Sequence, residues 1–368
     1  MSSGAVLALA VLLLQPSAAA AQWVDVFAFN DSFAAGIRQF RIPALIQTAA
    51  GTLVAIAEAR TAPQTDCGFK WLVARRSLDG GASWSASVDV AGRDTPDFAT
   101  GNPQAVFHAP SGKIVVTFGA KYIKGDARAR CSPGSGVFAV DDGGSDGARW
   151  GAPRNISADL GGLAAWGGVV PGPGAGAVTA VRNAGRILMS GSAGAYARDV
   201  VFYSDDAGAS WTPSASALPL MDESGPAELA DGAVYVTLRN AEPQGLQAFA
   251  ISTDGGAHFS APALDPALVS PQCQASVAAM AGRLFFCNSA ERQERGNLTV
   301  RRAAAGAGGG GVAWESRLLL AEGYTWGGYS SMAGPLAADA GAAGVLAERN
   351  DTAGGFVISY RSFPLFGW

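Results

Sequence analysis

Along most of the chain, short apolar runs rich in Val, Ile, Leu, Phe and Ala are broken by clusters of Gly, Asp, Ser and Asn. Runs such as KWLVARR (70–76), DVVFY (199–203) and LQAFAI (246–251) carry β-branched and aromatic residues and no helix caps, so they predict strands. Each is followed by the same short block: SLDGGASW (Ser77 to Trp84), SDDAGASW (Ser204 to Trp211) and STDGGAHF (Ser252 to Phe259). The shared form S-x-D-x-G-x-x-aromatic predicts a turn between strands. Asp accepts backbone N–H groups across the turn, Gly supplies a positive φ, and the aromatic packs the hairpin onto its neighbours.

Two weaker copies stand where the spacing predicts them. VFAVDDGGSDGARW (137–150) keeps Asp141, Gly143 and Trp150, and LTVRRAAAGAGGGGVAWE (298–315) keeps a strand, a Gly-rich loop and Trp314. Recurrence every roughly 50 to 65 residues is the signature of a repeat architecture. The length then holds about six units, each long enough for a four-stranded sheet, which predicts an all-β, six-bladed β-propeller rather than a sandwich with incidental turns.

The first residues change the domain reading. An apolar run from Ala5 to Leu14 is followed by Gln15, Pro16 and small residues ending in an A-x-A pattern before Gln22. A helix of that length rises only about 15 Å, half a hydrocarbon core. The expected organisation is a cleaved secretory signal over 1–21 and one propeller domain over 22–368, with no membrane span in the mature chain and residence in the secretory pathway, outside the cell or in a lysosome-like lumen. Cys67, Cys131, Cys273 and Cys287 show no C-x-x-C spacing, which points to disulfides rather than metal. Cys67 with Cys131 and Cys273 with Cys287 is the pairing expected among three connectivities. Asn30, Asn155, Asn297 and Asn350 head N-x-S/T sequons.

Charge narrows the chemistry. A formal charge of -4 over 368 residues argues against a nucleic-acid surface. Two histidines, His108 and His258, leave little for a histidine metal site or a Ser/His/Asp relay, and both read as structural. No metal or cofactor is expected.

The repeated block matches the Asp-box, and with FRIPAL (Phe40 to Leu45) the chain resembles the exo-sialidase (neuraminidase) family of six-bladed propellers. The resemblance runs from about Phe40 to Tyr360. It implies a glycoside hydrolase that removes terminal sialic acids from glycoproteins, glycolipids or oligosaccharides. Arg41 would be the first of three arginines gripping the sialic-acid carboxylate, a task suited to a planar, permanently charged fork. In ERGNLTVRR the resemblance makes Arg295 another, and in LAERN Glu348 would hold Arg41 in orientation. IAEART resembles the segment carrying a pocket arginine, here Arg60, and Asp66 beyond it would protonate the leaving oxygen.

PAELADGAVYVTLRN resembles the family's glutamate segment and puts forward Glu228 as base; WGGYSSM puts forward Tyr329 as nucleophile, with Tyr324 the competitor. A carboxylate nucleophile would be repelled by the carboxylate on the reacting carbon of sialic acid, whereas a neutral Tyr activated by Glu is not. Trp166 would floor the substrate rim, as a packing role would equally explain. The chain departs from the family at the second arginine: Asn240 to Ile251 holds none, so either Arg239 takes the role or the grip has two members. The departure keeps open a sialic-acid-binding propeller without turnover. A trans-sialidase and an enzyme for a different acidic sugar are the other readings.

Overall fold

The computed structural model describes residues 22–28, 36–62, 66, 68–123, 136–161, 168–194, 196–304, 306, 308, 311–324, 327–334, 341–350 and 356–368. The expected signal segment, Cys67, Cys131 and Trp166 lie outside them, and the side chain of Tyr324 is likewise not described.

The strands form six sheets of four or five strands, antiparallel except for the short strand Gly174–Ala175, which adds in parallel to the inner strand of the second blade; these are the blades of the expected propeller. In the first, Gln39–Gln47 pairs with Leu53–Arg60, then Lys70–Ser77, then Val88–Ala91. Blades four and five repeat this order from Met221–Glu228 and from Ser276–Met280. The inner strand of the third is broken into Val169–Pro171 and Ala177–Val178, both pairing with Ile187–Ala193. The sixth blade takes Ser330–Ala333, Ala342–Asn350 and Phe356–Pro364, and its outer strand is Val24–Phe27 from the other end of the sequence.

The apolar core is divided among the blade interfaces. Phe40, Leu45 and Trp71 of the first blade meet Leu346, Ile358 and Tyr360 of the sixth. Phe285 and Val300 of the fifth meet Val345 and Phe363 of the sixth. Burying each such side chain contributes about 1.5–3 kcal/mol.

The repeated blocks join the third strand of a blade to the fourth. Ser77 Oγ donates to Asp79 Oδ1 (2.8 Å), the Gly81 amide to Ser77 Oγ (2.8 Å), and the Ser83 amide to Asp79 Oδ1 (2.9 Å). The set recurs at 204–210 and 252–258. Gly81 needs to be glycine twice over: its φ is +95°, and a Cβ there would overlap the Tyr360 ring of the sixth blade. In the weaker copy at 137–150 the central acid is Asp142 rather than Asp141, accepting from the amides of Ile114, Gly144 and Gly147. Five blocks serve six blades because the sixth receives its outer strand from 24–27 and has no third-to-fourth hairpin.

One expected disulfide is not formed: Cys273 and Cys287 are both buried free thiols. Cys273 packs against Ile42 and Tyr329, whereas Cys287 sits in the core between blades five and six. The histidines are structural. His108 bridges Ser111 Oγ (2.7 Å) and the Gly185 carbonyl (3.0 Å), and His258 pairs with Asp254 in its turn block (2.8 Å).

Candidate active site

Strand direction decides which residues meet. In each blade the inner strand starts at one end of the axis and the second strand returns to it. Arg41 and Glu223 stand near the starts of inner strands, and Arg60, Arg239 and Glu348 near the ends of second strands. Arg295 immediately precedes the third strand of blade five, and Tyr329 immediately precedes the inner strand of blade six. All seven therefore gather at one mouth.

Tyr329 is at its centre. The phenol is buried and donates to Glu223 Oε1 at 2.6 Å, while Arg239 NH1 donates to Glu223 Oε2 (2.7 Å) and to the phenol oxygen (3.3 Å). The Arg41 and Arg295 guanidinium carbons lie 5.4 and 5.6 Å from the centre of the same ring. Burial first, and the Glu223 carboxylate next, push the phenol well above its ordinary range, so it rests protonated.

Arg41 is aimed by Glu348, whose side chain is fully buried. Arg41 Nε donates to Glu348 Oε1 at 2.6 Å, the Ile42 amide to the same oxygen at 2.9 Å, and the Tyr329 amide to Oε2 at 3.3 Å. Ile42 has a φ of 60°, and the pairing register slips between Arg41 and Ala44, a bulge that turns the arginine toward the axis. Gly327 leaves room for Glu348; a Cβ there would overlap its carboxylate. Arg295 NH1 donates to the Gly327 carbonyl at 2.8 Å.

Arg239, the residue nearest the gap at the second arginine, thus stands with Arg41 and Arg295 around Tyr329. Two expectations need correction. Glu228 is at the far end of its strand, five residues beyond Glu223 and therefore roughly 16 Å along it. Its carboxylate accepts from the amides of Ala180, Val181 and Arg182 beside a cavity of about 410 Å³ at the opposite mouth, with Gln47, Met280 and Arg283 also lining it. Glu223, which the sequence reading missed, occupies the place at the tyrosine; two adjacent acids opening an inner strand, Asp222 and Glu223, were its only signal.

Arg60 is the second correction. Its side chain is 2% exposed and held by Glu58 Oε2 (2.7 Å from Nε) and Asp66 Oδ1 (2.8 Å from NH1), so it supports Asp66 rather than facing a ligand. Lys70 Nζ (2.9 Å) and the Asn102 amide (2.8 Å) complete the shell of Glu58. Asp66 itself is 68% exposed at the mouth. The surrounding protein partly desolvates it, which favours the neutral form, but Arg60 and then Arg41 outweigh this and hold the carboxyl below its ordinary value. Without a ligand it is a carboxylate. The site thus combines a neutral tyrosine with a base in contact, three cations beside it, and an exposed acid at the rim.

The BNR repeat-like domain family matches residues 51–339. The chain is 30% identical to a sialidase of Micromonospora viridifaciens over 72% of its length and 44% of that protein. It is 26% identical to a sialidase of Bacteroides fragilis, over 78% of its own length and 56% of the other. It thus spans about half the length of these relatives. Among solved structures, a Hadza microbial sialidase superposes with a TM-score of 0.76 at 22% identity, over 90% of this chain and 67% of that one. An intramolecular trans-sialidase from Ruminococcus gnavus superposes at 0.74 with 16% identity, over 93% and 97%. At these identities the two structures speak for the fold.

Proposed function

The chain belongs to the BNR repeat-like domain family, with sialidases as its relatives, and we propose that it is a retaining exo-α-sialidase acting on sialylated glycoproteins, glycolipids or oligosaccharides. The observation that carries the reading is the 2.6 Å hydrogen bond from Tyr329 to Glu223 with Arg41, Arg239 and Arg295 around it. Three arginines would hold the substrate carboxylate, Arg239 supplying the member that the sequence pattern left open.

In the first step the Tyr329 oxygen attacks the anomeric carbon as Glu223 takes the phenol proton, and Asp66 protonates the departing glycosidic oxygen. The substrate carboxylate offsets the charge of Arg41 and the bound sugar excludes water from Asp66; both changes raise the tendency of Asp66 to carry that proton. In the second step Asp66 deprotonates a water, which displaces the tyrosine, and Glu223 returns the proton to it. Two displacements retain the anomeric configuration. An acceptor sugar in place of water would make the same site a trans-sialidase.

The reading of 1–21 as a signal and the exposed Asn155 sequon support action in the secretory pathway or outside the cell. The deciding experiment is hydrolysis of a fluorogenic sialoside by the wild type and by Tyr329→Phe. Turnover lost in the variant is expected. Turnover that survives removes Tyr329 as nucleophile, and binding of sialic acid without turnover by the wild type replaces the enzyme with a lectin.

A further inference from the structure

The mechanism above leaves one acid beside the base unused. Asp222 precedes Glu223, its side chain is 13% exposed, and its Oδ2 lies 3.4 Å from Arg239 Nε. NH1 of the same guanidinium holds Glu223 and the Tyr329 oxygen at 2.7 and 3.3 Å. A guanidinium is planar, so anchoring Nε and NH1 fixes the direction of the whole fork. Behind Asp222 stands Asp199, fully buried, accepting from Ser224 Oγ at 2.6 Å. Oδ1 of Asp199 and Oδ1 of Asp222 are both buried without a hydrogen-bond partner among the described residues.

We propose that Asp222 is a positioning residue for Arg239, and that its charge sets how strongly this arginine holds the substrate carboxylate, an inference that rests on the sialidase reading. A neutral Asp222 stays in contact with Nε and leaves Glu223 as the single anion against Arg239. An ionised Asp222 places a second carboxylate there, offsetting the cation and repelling the incoming carboxylate. The groups facing it are Glu223, Arg239 and the Ser192 hydroxyl, with Asp199 behind and the Tyr196 phenol within electrostatic reach. Burial, and then the Glu223 carboxylate, push Asp222 up to about 7. Burial keeps the Asp199 carboxyl well above its ordinary value. Rising pH through neutrality therefore adds negative charge and weakens binding.

The test measures KM and kcat of the full chain on a fluorogenic sialoside from about pH 5 to 9, with the affinity for free sialic acid by calorimetry over the same range. For the wild type, KM rises about tenfold above neutrality, as expected for one added charge near a bound anion. Asp222→Asn keeps an amide oxygen or nitrogen of the same shape beside Nε without a charge, and its KM stays flat at the low-pH wild-type value. Asp222→Ala removes the anchor and raises KM at every pH. Should Asp222→Ala not fold, the asparagine variant decides alone. An active wild type whose KM curve superimposes on that of Asp222→Asn overturns the inference and leaves the sialidase reading standing. A wild type that neither turns over the sialoside nor binds sialic acid overturns both.

Discussion

The Tyr329 hydroxyl donates to Glu223 Oε1 at 2.6 Å across 106 residues of sequence, joining the inner strands of the sixth and fourth blades over the propeller axis. The glutamate that the sequence pattern favoured, Glu228, faces the opposite mouth. Glu223→Gln should therefore lower kcat by about 10²–10⁴-fold, the span typical of a lost general base. Glu228→Gln should leave kcat and KM within about twofold and lower the melting temperature, since it weakens a carboxylate on three backbone amides worth about 1.5–3 kcal/mol per charge-assisted bond at most. Steady-state kinetics and thermal melts of the two variants check this, and a reversed pattern removes Glu223 from the site.

Arg239 contributes a charged contact to the expected anion. Replacing it with methionine should cost about 1.5–3 kcal/mol of carboxylate binding, roughly a ten- to hundredfold rise in the inhibition constant of free sialic acid. An unchanged constant would leave the grip to Arg41 and Arg295.

If Asp66 protonates the leaving group as proposed, its loss should depend on what leaves. Asp66→Asn should slow release of sialic acid from a lactoside by more than about 10²-fold, and far less from an aryl sialoside whose phenolate departs without a proton. Equal losses on both substrates would argue that Asp66 only binds.

The acids of the repeated turns make a pH prediction. Hydrogen bonds from the hydroxyl and amide of Ser83 hold Asp79 at about 2; at Asp254 partial burial raises the carboxyl, but the hydrogen bonds from His258 and Ser252 together outweigh it and hold it at about 2, both below the ordinary 3.8. A depressed carboxyl stabilises the fold above its unfolded value and loses that contribution as pH falls through its folded value. Stability should therefore decline between about pH 4 and 2, and the double variant Asp79→Asn, Asp254→Asn should be less stable at pH 6 with a shallower decline. Urea melts across that range decide it; parallel curves would show these carboxylates uncoupled from folding.

Gly327→Ala should move Glu348 off Arg41, because the added carbon overlaps a carboxylate already tied to Arg41 and two backbone amides. A rise in KM of about tenfold or more is expected from a misaimed bidentate donor. Wild-type KM in this variant would show Arg41 indifferent to Glu348.

Much of the architecture was legible because repetition makes it so. Ser77, Ser204 and Ser252 each open a block whose residues bond among themselves within a few positions, so sequence alone carries the geometry. Arg41, Arg295, Tyr329 and Glu348 are put forward by motifs, and the structure brings all four together. Glu223 and Glu228 could not be separated that way. They lie on one strand, each with local features that suit an acid, and only the position of the strand along the axis distinguishes them. Arg60 failed for a related reason: a buried guanidinium and one lining a pocket look alike until the partners, Glu58 and Asp66, are placed. The expected bridge between Cys273 and Cys287 does not form because the two thiols belong to different packing clusters.

The closure of the ring by Val24–Phe27 has a bearing on the order of events during folding. Arg41 sits in the first blade and its orienting partner Glu348 in the last, 307 positions later. A chain with five blades formed has Glu223 and Arg239 in place but lacks both Tyr329 and the partner that aims Arg41. The proposed site is thus complete only when the sixth blade is docked against the first, and activity on a sialoside would report that docking more sharply than strand content does.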